Sequence, residues 1–223
     1  MISEGHSPLE AGVMGYFRDP DWRSIVGVFA AAPVDEHWRA QTVLTLPVFL
    51  ALIMDAAPDA APALVDAVRG GEAVKVEVVA QALNYSHHAD RRRLMERLVG
   101  EKAAASMDEV GADFKQLVPS HPVHVDMLWA AFFATGDAEY LARIAGMLAG
   151  WMPQSQLQPL LAVAAKDAAA AAKAMPAVLA EAALLSLAAN VRDIEPVRDA
   201  LVAHALKQDG IGSALAARIV AGV

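Results

Sequence analysis

Leu128 to Gly150, LWAAFFATGDAEYLARIAGMLAG, is the stretch that decides the fold. Its first part is apolar and alanine-rich, Gly136-Asp137 interrupts it, and Leu141, Ile144 and Leu148 then recur three to four positions apart. That recurrence is one face of an α-helix, and a glycine followed by an aspartate supplies a turn and a helix cap. The stretch therefore reads as a helical hairpin, which cannot bury its apolar face alone and must stack on neighbours. Two further segments lie over it without gaps before the turn, VVAQALNYSHHADRRRLMERLVG (Val78 to Gly100) and LLSLAANVRDIEPVRDALVAHAL (Leu184 to Leu206). Arg92, Arg143 and Arg198 fall on comparable outer positions of the three. The units start roughly fifty residues apart, longer than the ~34 of a typical two-helix repeat, so an extra helix is expected between hairpins.

Composition agrees. Alanine, the best helix former, accounts for 49 of the 223 residues. With 56% hydrophobic and 20% charged residues, the chain is too apolar for a disordered segment. Cysteine is absent, which excludes a disulfide framework, a thiolate metal site and a cysteine nucleophile. The net charge of −8 has the wrong sign for a general binder of nucleic acid or anionic membrane. Val43 to Met54, the longest nearly uninterrupted apolar stretch, is shorter than the ~20 residues of a membrane span, and Glu181 interrupts Ala177 to Ala189. No secretory signal is visible at the N-terminus, and the expected location is cytoplasmic.

Proline and glycine punctuate the rest. Residues 1–18 read as a loose lead-in, and 19–223 as a single all-α domain with a sub-boundary at Gly70-Gly71. Helices are expected from Trp22 to near Pro33, from an Asp35 cap through Leu46, from Pro47 to Ala56 and from Asp59 to Arg69. Others follow near 73–84, 88–99, 106–117, 122–135, 137–149, 156–173, 176–190, 193–207 and 213–222. Val74 to Val78 alternates like a strand but continues into an Ala/Leu-rich run and is read as helix. The fold class is all-α, stacked antiparallel hairpins of about twelve helices, as a solenoid or an irregular bundle.

Within the central hairpin, Leu128, Phe132, Gly136 and Pro153 match the tetratricopeptide (TPR) helix-turn-helix pattern in spacing, and AFFATGDAEYL resembles its turn. Val125 stands where that pattern has Trp, Trp129 where it has a small residue, and Leu141 and Leu148 where it has alanines. The resemblance covers some 30 residues. It implies an α-solenoid that offers a concave surface to a protein or peptide.

Four constellations are candidates for function. Arg91-Arg92-Arg93 with Arg97 is the densest cationic patch in an acidic chain; Arg93 and Arg97 share a helix face and could clamp a carboxylate or phosphate. Trp129, Phe132 and Phe133 form one helical stripe with Tyr140 beyond the turn, either core or an interaction surface. His121 and His124 stand at metal-ligand spacing, but His121-Pro122 also reads as a helix start whose polar side chains cap it. DGIGSALAARIVAGV (Asp209 to Val223) resembles the helix-hairpin-helix motif, with Gly210, Ile211, Gly212, Ala216 and Ile219 at the matching places. That resemblance implies backbone amides offered to a DNA phosphate, although Gln208-Asp209 replaces the expected apolar-proline pair; the same glycines also suit a linker before a last docking helix.

Neither a phosphate-binding Gly-x-x-x-x-Gly-Lys-Ser/Thr, nor Gly-x-Ser-x-Gly, nor His-Glu-x-x-His occurs. No catalytic residue and no cofactor is therefore assigned. The first expectation is a non-catalytic adaptor that binds a protein or peptide through Arg92, Arg93, Arg97, Trp129, Phe133 and Tyr140, with a homodimer plausible from the high apolar content. The alternatives are nucleic-acid binding through Gly210, Ile211 and Gly212, and a metal-dependent enzyme using His121 and His124.

Overall fold

A computed structural model describes residues 7–34, 36–108, 110–207 and 210–222, with 36–43 as backbone. Among the described residues there are 13 α-helices and no strand, as the sequence leads one to expect. They are α1 (Pro8–Gly15), α2 (Trp22–Ala31), α3 (Glu36–Ala56), α4 (Ala60–Val68), α5 (Ala73–Tyr85), α6 (Arg91–Val99) and α7 (Glu101–Ala104). After a long irregular segment come α8 (Val123–Thr135), α9 (Ala138–Gly146), a 3-10 turn at Met147–Gly150, α10 (Gln154–Ala164), α11 (Ala168–Asn190), α12 (Glu195–Ala205) and α13 (Ile211–Ala221). The chain forms two compact units: one runs through Phe114 and includes Ala130–Gly136, the other comprises Lys115–Trp129 and Asp137–Val223. Gly70-Gly71 is a turn inside the first unit.

In the first unit α3 lies against α5, α2 against α1 and α4, and α6 against α4 and α5. The second half of α3 is its centre. Leu46, Val48, Phe49, Leu50, Ala51, Ile53 and Met54 are all at most 5% exposed, so this helix is apolar all round because it is covered all round. The sequence reading breaks the helix at Pro47; the observed helix runs through it. A proline inside a helix costs about 3 kcal/mol, whereas fully burying each large apolar side chain gains about 1.5–3 kcal/mol, and at least five flank this one. The Asp35 cap lies outside the described residues. Tyr16 meets Phe49 edge to face at 5.4 Å, and Tyr85 meets Phe114 at 5.5 Å.

Two expectations fail in this unit. The lead-in contains α1, started by a capping box in which the Glu10 N–H donates to Ser7 Oγ at 3.2 Å and the Ser7 N–H donates to Glu10 Oε2 at 2.7 Å, with Pro8 in the first turn. The helix expected over 106–117 is absent among the described residues, and an irregular segment follows α7.

In the second unit α10 and α11 form a hairpin, α11 packs on the 147–150 turn, and α12 packs on α9 and α13. The sequence reading places a helix break before Pro176; the break lies at 165–167 instead. Asp167 starts α11 by accepting the Ala169 N–H at 2.8 Å, and Pro176 sits inside the helix. Among the described residues α11 is the one helix long and apolar enough to cross a membrane by length and composition. It carries Lys173 and Glu181 and packs on α10 and the 147–150 turn. Asp137 caps α9, accepting the Glu139 N–H at 3.0 Å, and Lys115 Nζ lies 2.7 Å from Asp137 and 3.3 Å from Glu139. The Lys115 ammonium, and then the Glu139 N–H, hold the Asp137 carboxyl below the ordinary carboxylate range.

A carboxyl depressed on folding contributes stability that is present above its unfolded value, about pH 4, and lost as pH falls through the folded value. Asp137→Asn is therefore expected to lower the thermal midpoint at pH 7, by a loss on the order of 0.5–1 kcal/mol. The gap to the parent should close as the pH falls from about 4 and the carboxyl takes up its proton, which calorimetry across pH checks. At Gly150 a Cβ would meet the Pro176 carbonyl oxygen at 2.6 Å, whereas at Gly146 it would meet nothing within 4 Å. Gly150→Ala is expected to cost about 1–3 kcal/mol in urea unfolding, and Gly146→Ala to be neutral or gain up to about 1 kcal/mol.

Candidate functional site

The cationic patch on α6 is spent on the chain itself. Arg91 donates to the carbonyls of Asn84 at 2.8 Å and Asp108 at 2.6 Å, and Arg92 donates to the carbonyl of Ala104 at 2.9 Å. Asn84 and Asp108 are joined again by two hydrogen bonds of 3.0 Å. These contacts fasten the irregular segment after α7 to the end of α5. Arg97 pairs with Asp66 of α4, and Arg93 pairs at 2.9 Å with Asp90 on the surface. The second unit uses the same device: Arg143 donates to the carbonyls of Lys115 at 3.0 Å and of Leu117. Arg143 thus ties an irregular segment to a helix, as Arg91 does through Asp108, whereas Arg92 holds the last carbonyl of α7.

Trp129, Phe133 and Tyr140 are buried. Phe132 and Phe133 lie against Phe17 at ring-centre distances of 4.9 and 6.3 Å. This stripe is core, one of the two readings its spacing allows. The rings of His121 and His124 are 6.4 Å apart, and each Nδ1 accepts a backbone N–H, from Val123 at 3.2 Å and from Ser120 at 3.0 Å. The pair caps the start of α8, and no group of three His, Cys, Asp or Glu that could hold a metal ion exists among the described residues. Gly212 is buried where a Cβ would meet the Ala149 nitrogen at 2.9 Å, so the bare backbone there brings α13 onto the 147–150 turn. Ile211 is 44% exposed, Gly210 takes a φ of 108°, and Gln208-Asp209 lie outside the described residues.

The second unit contains a groove that no motif announces. The end of α11, the turn after it, α13 and Trp151 enclose about 680 Å³, open to solvent. That is within the ~300–1,000 Å³ typical of ligand sites. Leu184, Leu215 and Ile219 give it apolar walls, and Ala188, Ala189 and Gly222 leave room. Arg192 and Arg218 line it and are exposed; neither forms an ion pair with a described residue. Asp193 lines it as well. The Trp151 indole N–H is buried without an acceptor, which costs about 1–3 kcal/mol. Arg192 and Arg218 stand 26 positions apart in sequence, so only the fold brings them together. A smaller hollow of about 390 Å³, lined by Ala138, Ala142, Pro196, Ala200 and His204 with Asp199 and Lys207, lies beside α12.

No family model matches this chain, and comparison with curated proteins and with solved structures gave no match.

The two kinds of arginine on α6 separate in unfolding experiments. Arg91→Met is expected to cost about 1–3 kcal/mol, because the part-buried Asn84 carbonyl loses a charged donor and the tie to Asp108 is lost with it. Arg93→Ala should stay within about 0.5 kcal/mol of the parent, as exposed ion pairs do. Equal losses in urea titrations would refute this division.

Proposed function

We propose that this chain is a non-catalytic, cytoplasmic adaptor of the helical-repeat kind, TPR-like in its central hairpin, and that it holds a peptide segment of a partner protein in the groove of its second unit. The observation that carries the reading is the groove itself: apolar walls with two exposed arginines among the lining residues, open to solvent. Apolar walls supply affinity and a few polar groups at the edge supply orientation, which is how peptide grooves divide the work. The cationic helix and the aromatic stripe, which the sequence offers first, are occupied by internal bonds and packing, and this favours the groove over them. A further feature supports an adaptor: three sequence segments share one hairpin pattern.

Selection from a displayed random peptide library against the purified chain tests the proposal. Selected peptides are expected to bind with a Kd on the order of 1–100 μM by titration calorimetry. Ala188→Trp, at an exposed position of the groove wall, should weaken them at least about tenfold with the unfolding midpoint unchanged. Failure to select any peptide, or undiminished binding to Ala188→Trp, overturns the assignment.

A further inference from the structure

We infer that the groove reads a carboxylate: its occupant is a partner peptide carrying an acidic residue beside an apolar anchor, with Arg192 and Arg218 on the carboxylate and Leu184, Leu215 and Ile219 around the anchor. This rests on the peptide-binding reading above and adds the chemistry of the ligand.

Charge complementarity carries the step. The chain has 26 acidic residues and 18 basic ones, and several of the basic ones are bound to its own carbonyls and carboxylates. Against that background two exposed arginines line one largely apolar groove, with Asp193 the one acid among its lining residues. Guanidinium forks match carboxylate oxygens in pairs and are less strongly hydrated than ammonium groups, so they suit the edge of an apolar site. Screening limits the distant acidic surface to about 8–10 Å, which leaves the local cations in control of what enters. Two cations are too few for a nucleic-acid backbone, whose binders typically neutralise about 6–10 phosphates.

Trp151 is one of the residues lining the groove, so its fluorescence can report on an occupant.

The test uses short capped peptides in which leucine and phenylalanine are followed by two aspartates, and the same peptides with two asparagines. These are titrated into the parent chain and into the Arg192→Gln/Arg218→Gln variant. The aspartate peptides are expected to bind the parent about tenfold more tightly than the asparagine peptides, and the variant should bind both alike. Trp151 fluorescence, isolated with Trp151→Phe as reference, should shift on binding. Equal affinity of the parent for both peptides overturns the carboxylate assignment while leaving the adaptor reading intact. A preference that survives in the variant places the recognition elsewhere and also overturns it. Should neither these nor any library peptide bind, the adaptor reading falls and takes this inference with it. Displacement of the aspartate peptides by duplex DNA at equal phosphate and carboxylate concentration would assign the arginines to phosphates instead.

Discussion

Helices leave their last carbonyls without an intrahelical partner, and the segments that join them leave more, so carbonyls of both kinds that lose water must find a donor. This chain meets that constraint with its scarce cations. Lys75, paired with Glu72, donates to the carbonyl of Ala30 in the last turn of α2 at 2.7 Å; Arg91 joins Asn84 in the last turn of α5 to Asp108 beyond α7, Arg92 holds Ala104 at the end of α7, and Arg143 fastens the segment before α8. Each bond is charge-assisted and therefore stronger than a neutral one. The consequence reaches function. A cation committed to a carbonyl of its own chain is not offered to a ligand, so the densest run of arginines in the sequence is structural, and two scattered arginines remain at an open groove.

Helix identity is legible from periodicity and alanine content, and most boundaries set by capping residues are near where local chemistry puts them. Prolines mislead. Pro47 and Pro176 look like breaks because each removes a hydrogen bond and crowds the preceding turn. Whether a helix survives this depends on how many apolar side chains it buries on either side, and that is a property of packing. Around Pro47 the answer is visible in Val48, Phe49, Leu50, Ile53 and Met54, none more than 1% exposed. The opposite error, at α1, comes from local chemistry that is readable in the chain: Ser7-Pro8-Leu9-Glu10 is a capping box with proline in its first turn.

The candidate site is less legible, for a reason that the residues make plain. Contiguous features such as Arg91-Arg92-Arg93 or His121-Pro122-Val123-His124 attract notice because they are close in sequence. Closeness in sequence also lets them cap their own helix or hold the adjoining loop, and both runs do so. Trp151, Arg192 and Arg218 come from three separate elements, with no spacing rule connecting them. Trp151 is visible in the sequence only as one more aromatic. Its unmet N–H appears only when its surroundings are known.

Alanine abundance links the fold to the groove. Small residues let helices approach closely, as where Gly150 meets the Pro176 carbonyl and Gly212 meets Ala149. The same residues fill little space where helices diverge. Ala188, Ala189 and Gly222 line the opening beside α11 and α13, and no large side chain in that row crosses it. A domain with larger residues at those positions would close the space with its own core, because interiors pack to high density wherever side chains can reach. An alanine-rich helical chain therefore gains tight contacts at its crossings and accepts hollows at its margins. The hollow whose edge also carries uncommitted cations is the one that chemistry equips to hold something.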